Sequence, residues 1–111
     1  MSLLGKLFGL GGSQTDAVKV LSNQEFKEGM KKKNAQLVDV RTPGEFRQGH
    51  YKNAKNIDFF DSTNFMKQFE KFDKEKPLYL YCRSGMRSHK AAIKLAQAGF
   101  QEIYDLQGGY R

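Results

Sequence analysis

The sequence predicts an α/β fold: a mainly parallel five-stranded sheet with helices on both faces. Three observations predict it. Short runs rich in valine, leucine and tyrosine alternate with stretches of helical spacing along the whole chain. Most of these runs are only four or five residues long, too short to be helices. The run ending at Cys82 passes through a tight loop straight into a helical pattern, the strand–loop–helix join on which parallel sheets are built, with right-handed crossovers. The 111 residues suffice for one domain with a modest core and leave no room for a second. We place that domain at residues 17–111, after a mobile tail and linker over residues 1–16.

Taken in order, Ala17 to Leu21 alternates as a first strand with Val18 and Val20 inward. Ser22 and Glu25 form a capping box for the first helix, and Leu21 can staple to Phe26. Phe26 and Met30 share its buried face, Lys31, Lys32 and Lys33 suit its C-terminal dipole, and Asn34 is the stop. Leu37 to Val40 is the second strand. Arg41 to Phe46 turns into a short helix ended by Gly49, His50 and Tyr51, and Ala54 to Ile57 is a third short strand. A helix from Asp61 or Ser62 carries Phe65, Met66, Phe69 and Phe72 as a core stripe. Pro77 opens the strand to Cys82. The next helix buries Ala91, Ala92, Leu95 and Ala96 and stops at Gly99, and Glu102 to Leu106 is the last strand.

A single cysteine excludes an intramolecular disulfide framework and a cysteine-only zinc site, and a free thiol suits a reducing, cytoplasmic compartment. The formal net charge of +7 reads as solvated lysine faces, with one local consequence: a positive field steers small anions. Neither exposed aromatics interleaved with basic residues nor a nucleic-acid-binding motif is evident, so no nucleic-acid partner is expected. Met1 to Gly12 is apolar but too short to span a bilayer, and Lys6 breaks the pattern of a signal peptide, so no stable membrane insertion is expected. Beside the mobile-tail reading stands a short helix with Leu3, Leu4, Leu7 and Phe8 on one side, against the domain, a partner or a membrane surface.

The chemistry concentrates at Cys82-Arg83-Ser84-Gly85-Met86-Arg87-Ser88. Loop N–H groups and the first turn of a helix converge on one spot and favour negative charge there. A cysteine at that spot, beside two arginines, ionises readily and serves as a nucleophile. Gly85 allows a left-handed turn or a close backbone approach. Ser84 and Ser88 offer hydroxyl donors, Ser88 having a local helical bond as its other use. Either Arg83 or Arg87 can hold an oxyanion, and the sequence does not say which. Asp39, Arg41 and Glu45 read as an ion-pair network tying a strand end to the next helix. His50 is a poor candidate base and His89 an exposed helix residue. Neither sits in a metal-ligand pattern, and the chemistry calls for no metal and no cofactor.

These residues also carry a resemblance. Leu37-Val38-Asp39-Val40-Arg41-Thr42-Pro43-Gly44-Glu45-Phe46, with Gly49-His50 and Asn56-Ile57, resembles the first signature of rhodanese domains. The loop from Cys82 to Ser88 is similar to their active-site loop, and Leu106-Gln107-Gly108-Gly109-Tyr110 to their closing glycine motif. The resemblance implies a single-domain sulfurtransferase of the thiosulfate type. It implies that Cys82 carries a persulfide whose terminal sulfur is cradled by the N–H groups of Arg83 to Arg87. The implied partners are a small anionic sulfur donor and a cyanide or thiol acceptor, with a protein persulfide as a further donor. Tyr51-Lys52-Asn53-Ala54 and Asp58 depart from the family's usual loop residues.

Two rivals stand beside this reading. A cysteine-dependent phosphatase or arsenate reductase places five residues between cysteine and arginine, whereas four separate Cys82 from Arg87. A non-catalytic binding or redox-sensing module would use Cys82 only as an oxidisable thiol.

Overall fold

The structure, a computed structural model, describes residues 16–110. The apolar stretch Met1 to Gly12 and the linker through Thr15, expected to be a mobile tail or a short helix, lie outside the described residues.

Five strands form one sheet: β1 (Val18–Leu21), β2 (Gln36–Asp39), β3 (Lys55–Asn56), β4 (Leu78–Tyr81) and β5 (Ile103–Leu106). Their order is β1-β5-β4-β2-β3 and every neighbouring pair is parallel. Four α-helices connect them: α1 (Asn23–Met30), α2 (Pro43–Arg47), α3 (Phe65–Gln68), which runs on as a 3-10 turn over Phe69–Lys71, and α4 (Met86–Gln97).

Strand alternation divides the core into two. On one face of β4, Leu78, Leu80 and Cys82 meet Phe65, Phe69 and the Ala91, Ala92, Leu95 and Ala96 stripe of α4. On the other, Tyr79 and Tyr81 meet Phe26 of α1 and the rings of Tyr51, Tyr104 and Tyr110. Central β4 is buried along its whole length, as a strand covered on both faces must be. Phe26 lies edge-on to Tyr79 and Tyr81, with ring centroids 5.3 and 6.3 Å apart. Helices thus cover both faces, as the alternating pattern predicts.

The expected capping box of α1 is present: the Ser22 hydroxyl accepts the Glu25 N–H while Glu25 accepts the Ser22 N–H. Three details differ from the sequence reading. Val20 is 52% exposed rather than inward, because β1 is an edge strand and a surface hollow, lined by Met86, His89 and Lys90 of α4, lies over it. α1 stops at Met30 with Lys31 as its cap, so Lys32, Lys33 and Asn34 follow the helix instead of closing it. The helix expected from Asp61 begins only at Phe65: Asp61 to Asn64 form a turn in which the Asn64 amide donates to the Asp61 carboxylate. The aromatic stripe survives the shortening, with Phe65 and Phe69 buried and Met66 and Phe72 packed at its rim.

Candidate active site

Cys82 follows β4 directly, at the carboxyl end of the parallel sheet, where open α/β sheets gather their ligands. Its neighbour Gly85 adopts φ +102° and is the N-cap of α4. A glycine has no side chain to cap with, so the first-turn N–H groups of α4 need another acceptor. Cys82 Sγ supplies it. The Gly85 N–H donates to the sulfur at 3.1 Å and the Ser88 N–H at 3.3 Å. Ser88 is the third residue of α4, the position whose N–H reaches the hydroxyl of Ser22 in α1 and of Thr42 in α2 through Glu25 and Glu45. The cysteine sulfur therefore occupies the place of a helix cap, facing backbone dipoles that favour negative charge.

The sequence reading placed the cradling N–H groups between Arg83 and Arg87. The structure aims those of Gly85 and Ser88 at Sγ itself, the second lying one residue beyond that span, because the helical turn carries it back over the strand end. Cys82 is fully buried and its side chain belongs to the α4 side of the core. The sulfur thus sits beneath the loop.

The closing glycines hold the loop from behind. Tyr110 donates its N–H to the Cys82 carbonyl at 2.8 Å. Gly109, at φ +78°, lies so close to the loop that a Cβ there would fall 2.1 Å from the Arg83 carbonyl oxygen. The backbone approach explains the glycine, and its φ compounds the requirement.

The two arginines separate. Arg83 is exposed. Arg87 is mostly buried and makes a two-pronged contact with Glu45, at 2.9 and 3.1 Å. The hydrogen bonds to Glu45 raise the Arg87 pKa, and Cys82 adds a smaller electrostatic share in the same direction. Glu45 is held down to about 2, chiefly by the Arg87 guanidinium, against an opposing push from burial. Arg87 Cζ also lies over the ring of Phe60, a residue 65% exposed, 5.3 Å from the ring centroid.

The expected network of Asp39, Arg41 and Glu45 is two separate devices. Asp39 and Arg41 are both buried and pair closely, with Arg41 Nη2 2.6 Å from Asp39 Oδ2. Burial pulls the Arg41 pKa down, and the hydrogen bonds and charge of Asp39 outweigh it. Arg41 also donates to the Gly49 carbonyl, locking the start of the following loop. Glu45 instead closes the capping box of α2 with Thr42 and turns its charge to Arg87.

His50 is exposed, stacks on Phe46 at 3.5 Å and hydrogen-bonds the Phe46 carbonyl, so it is engaged away from the sulfur. His89 is half-exposed and faces Asp105, its Nδ1 3.4 Å from Oδ2. Sequence reasoning passed over Asp105. The Ser88 hydroxyl donates to its buried carboxylate at 2.5 Å, directly behind the residue whose N–H meets the sulfur. One signal was available: alternation puts Asp105 on the same face as Ile103, an acid where a core residue belongs. Met86 and Ser84 are exposed at the rim of the loop. Among the described residues no three His, Cys, Asp or Glu side chains gather as a metal site, and no helix is long and apolar enough to cross a membrane.

Fold and site together define a parallel α/β protein with a loop-cradled cysteine at the carboxyl end of its sheet. The model of the rhodanese-like domain matches residues 22–111, and the chain belongs to that family, which is of sulfurtransferase type. It is 40% identical to the uncharacterized protein YqhL of Bacillus subtilis over 98 residues, 88% of this chain and 74% of that protein. It is 35% identical to the thiosulfate sulfurtransferase GlpE of Coxiella burnetii over 92 residues, 83% of each. A tRNA uridine(34) hydroxylase of Onion yellows phytoplasma is also 35% identical, over 80% of this chain, and the chain spans 30% of that protein's length. Among solved structures, a rhodanese-like domain protein from Staphylococcus aureus superposes with a TM-score of 0.71 at 30% identity, covering 82% of this chain and 86% of that one.

Proposed function

We propose that the protein is a sulfurtransferase that moves a sulfane sulfur from thiosulfate or a persulfide donor to cyanide or a thiol, through a persulfide on Cys82. The observation that carries the reading is the pair of N–H groups, from Gly85 and Ser88, on Cys82 Sγ. They stabilise anionic sulfur without reorganisation, as an oxyanion hole does for oxygen. The thiosulfate sulfurtransferase among the relatives supports the donor class.

In the first half-reaction the Cys82 thiolate attacks the outer sulfur of thiosulfate. A new S–S bond forms, the S–S bond of the donor breaks, and sulfite leaves with the electron pair. In the second, cyanide or a thiolate attacks the terminal sulfur, giving thiocyanate or a new persulfide and returning the Cys82 thiolate. No separate base is required if the thiolate is already present. Arg87, aligned by Glu45, is the cation we assign to the sulfonate oxygens, since Glu45 holds it largely buried on the first turn of α4, next to Ser88, while Arg83 is exposed. Ser84, Gly85, Met86 and Ser88 complete the donor loop. The partners are then a small anionic donor, a small thiol or cyanide acceptor or a protein persulfide, in the cytoplasm.

The test is the intact mass of wild type and Cys82→Ser after incubation with thiosulfate. A gain of one sulfur atom by the wild type alone, removed by cyanide or dithiothreitol, is expected. Hydrolysis of an aryl phosphate without sulfur loading overturns the reading in favour of a phosphatase. Ready oxidation by peroxide, with no loading from thiosulfate or polysulfide, overturns it in favour of a redox sensor.

A further inference from the structure

Asp105 is a buried acid that the transfer chemistry leaves without a role. It lies on β5 among apolar neighbours, with Val20 of β1 and Leu80 of β4 in register beside it. It is 3% exposed. Among the described residues no arginine or lysine pairs with it; the Ser88 hydroxyl donates to Oδ1 at 2.5 Å and His89 faces Oδ2. Burial raises its pKa, and the contacts to Ser88 and His89 offset that only in part. A carboxyl group held this way lowers stability at neutral pH, because its raised pKa means that burial disfavours the charged form the unfolded chain carries there. Valine or leucine would pack there at no such cost.

What the acid contributes is placement. Ser88 is fixed at two atoms: its N–H to Cys82 Sγ, and its hydroxyl to Asp105, with the Gly85 carbonyl also in reach at 3.3 Å. The hydroxyl anchor and the sulfur donor belong to the same residue on the first turn of α4. Without Asp105 the hydroxyl keeps the longer contact to the Gly85 carbonyl, and the first turn of α4 loses the ties to β5 that Ser88 and His89 make through that carboxylate. We propose that Asp105 is a positioning residue for sulfur transfer: by accepting the Ser88 hydroxyl it holds the Ser88 N–H on the Cys82 sulfur. The proposal rests on Cys82 being the sulfur carrier.

The experiment compares wild type, Asp105→Asn, Asp105→Val and Ser88→Ala by thermal melting, by the rate of sulfur loading from thiosulfate, and by the rate at which iodoacetamide alkylates Cys82. Asparagine keeps an acceptor for the hydroxyl; valine removes it and the buried charge together. Asp105→Val is expected to melt no lower than wild type yet to load sulfur at least about tenfold more slowly, because a donor displaced from the reacting atom loses most of its effect. Asp105→Asn is expected to stay within about twofold of wild type, the rescue by a conservative acceptor. Ser88→Ala is expected to be slowed like Asp105→Val, and it carries the test if the valine variant does not fold. Alkylation reads the same donor pair without sulfur chemistry. A wild type that never loads sulfur therefore overturns the proposed function, while the alkylation ratios still decide the role of Asp105. Asp105→Val or Ser88→Ala that is folded and reacts at the wild-type rate in both assays overturns the positioning role.

Discussion

Arg87 on the loop-bearing helix is held by Glu45, which lies 42 residues earlier on a different helix, through two hydrogen bonds of 2.9 and 3.1 Å. The same carboxylate accepts the Thr42 N–H and hydroxyl at the start of α2. One side chain therefore caps a helix and fixes a cation on the first turn of the helix that carries the sulfur cradle. Two roles at one residue can be separated by replacing the charge while keeping the shape.

Glu45→Gln retains an acceptor for the Thr42 N–H but no longer pairs with a cation. It is expected to fold, to lose about 1.5 kcal/mol of stability from the missing charge-assisted bonds, and to load sulfur from thiosulfate more slowly. A neutral donor should be affected far less than a dianionic one, since the loosened group is a guanidinium. Loading rates for thiosulfate and for an organic trisulfide, measured side by side, check this.

The Glu45 carboxyl also predicts a pH dependence of stability. Its folded value, about 2, lies below the ordinary 4.5, so the folded state favours the ionised form. That contribution is fully present above 4.5 and is lost as the pH falls through about 2. Urea midpoints of the wild type should fall across that window, and those of Glu45→Gln should fall less steeply. Parallel curves for the two proteins would show that other carboxylates carry the acid sensitivity.

Asp39 and Arg41 form the other ion pair, and it is a buried one. Asp39→Ala leaves the Arg41 guanidinium inside the protein with only the Gly49 carbonyl as a named acceptor. Removing one partner of a buried pair costs about 3–5 kcal/mol, a large part of a small domain's stability. Chemical denaturation is expected to show that loss. Whatever fraction remains folded should still load sulfur, because the pair's hydrogen bonds lie at the end of β2 and at Gly49, and its link to the cradle is the Arg41 contact with the Tyr110 ring.

Gly109→Ala tests the brace behind the loop. The added methyl meets the Arg83 backbone at 2.1 Å, and backbone cannot swing aside as a side chain can. The φ of +78° disfavours alanine as well. The loop must move, so sulfur loading is expected to fall by about tenfold or more, out of proportion to the change in melting temperature.

Much of this was legible in the sequence because it is local. Alternation gave β4 its two faces. Ser22 with Glu25, and Thr42 with Glu45, fall at the spacing of capping boxes, and Cys82, Gly85 and Ser88 fall within one loop and one helical turn. The exposed Val20 was misread because alternation tells which face a residue points to, not whether a helix covers that face at a sheet edge. The short α3 was misread because aromatic periodicity is satisfied equally by one long helix and by a turn, a short helix and a 3-10 turn laid end to end.

By itself the sequence determined a mainly parallel α/β sheet, a cysteine at the carboxyl end of one of its strands and a glycine where the next helix begins, since each is a matter of residue type and short spacing. Only the tertiary structure decided which arginine Glu45 holds, where Glu45 spends its charge, and that Asp105 backs Ser88 across 17 residues. Those contacts join separate helices and strands, and their partners are chosen by how the elements pack on the sheet rather than by any period along the chain. The sulfur as a helix cap belongs to both: glycine at the N-cap leaves the first-turn N–H groups without a side-chain acceptor, and the packing of α4 over the end of β4 sets Cys82 where the acceptor must be.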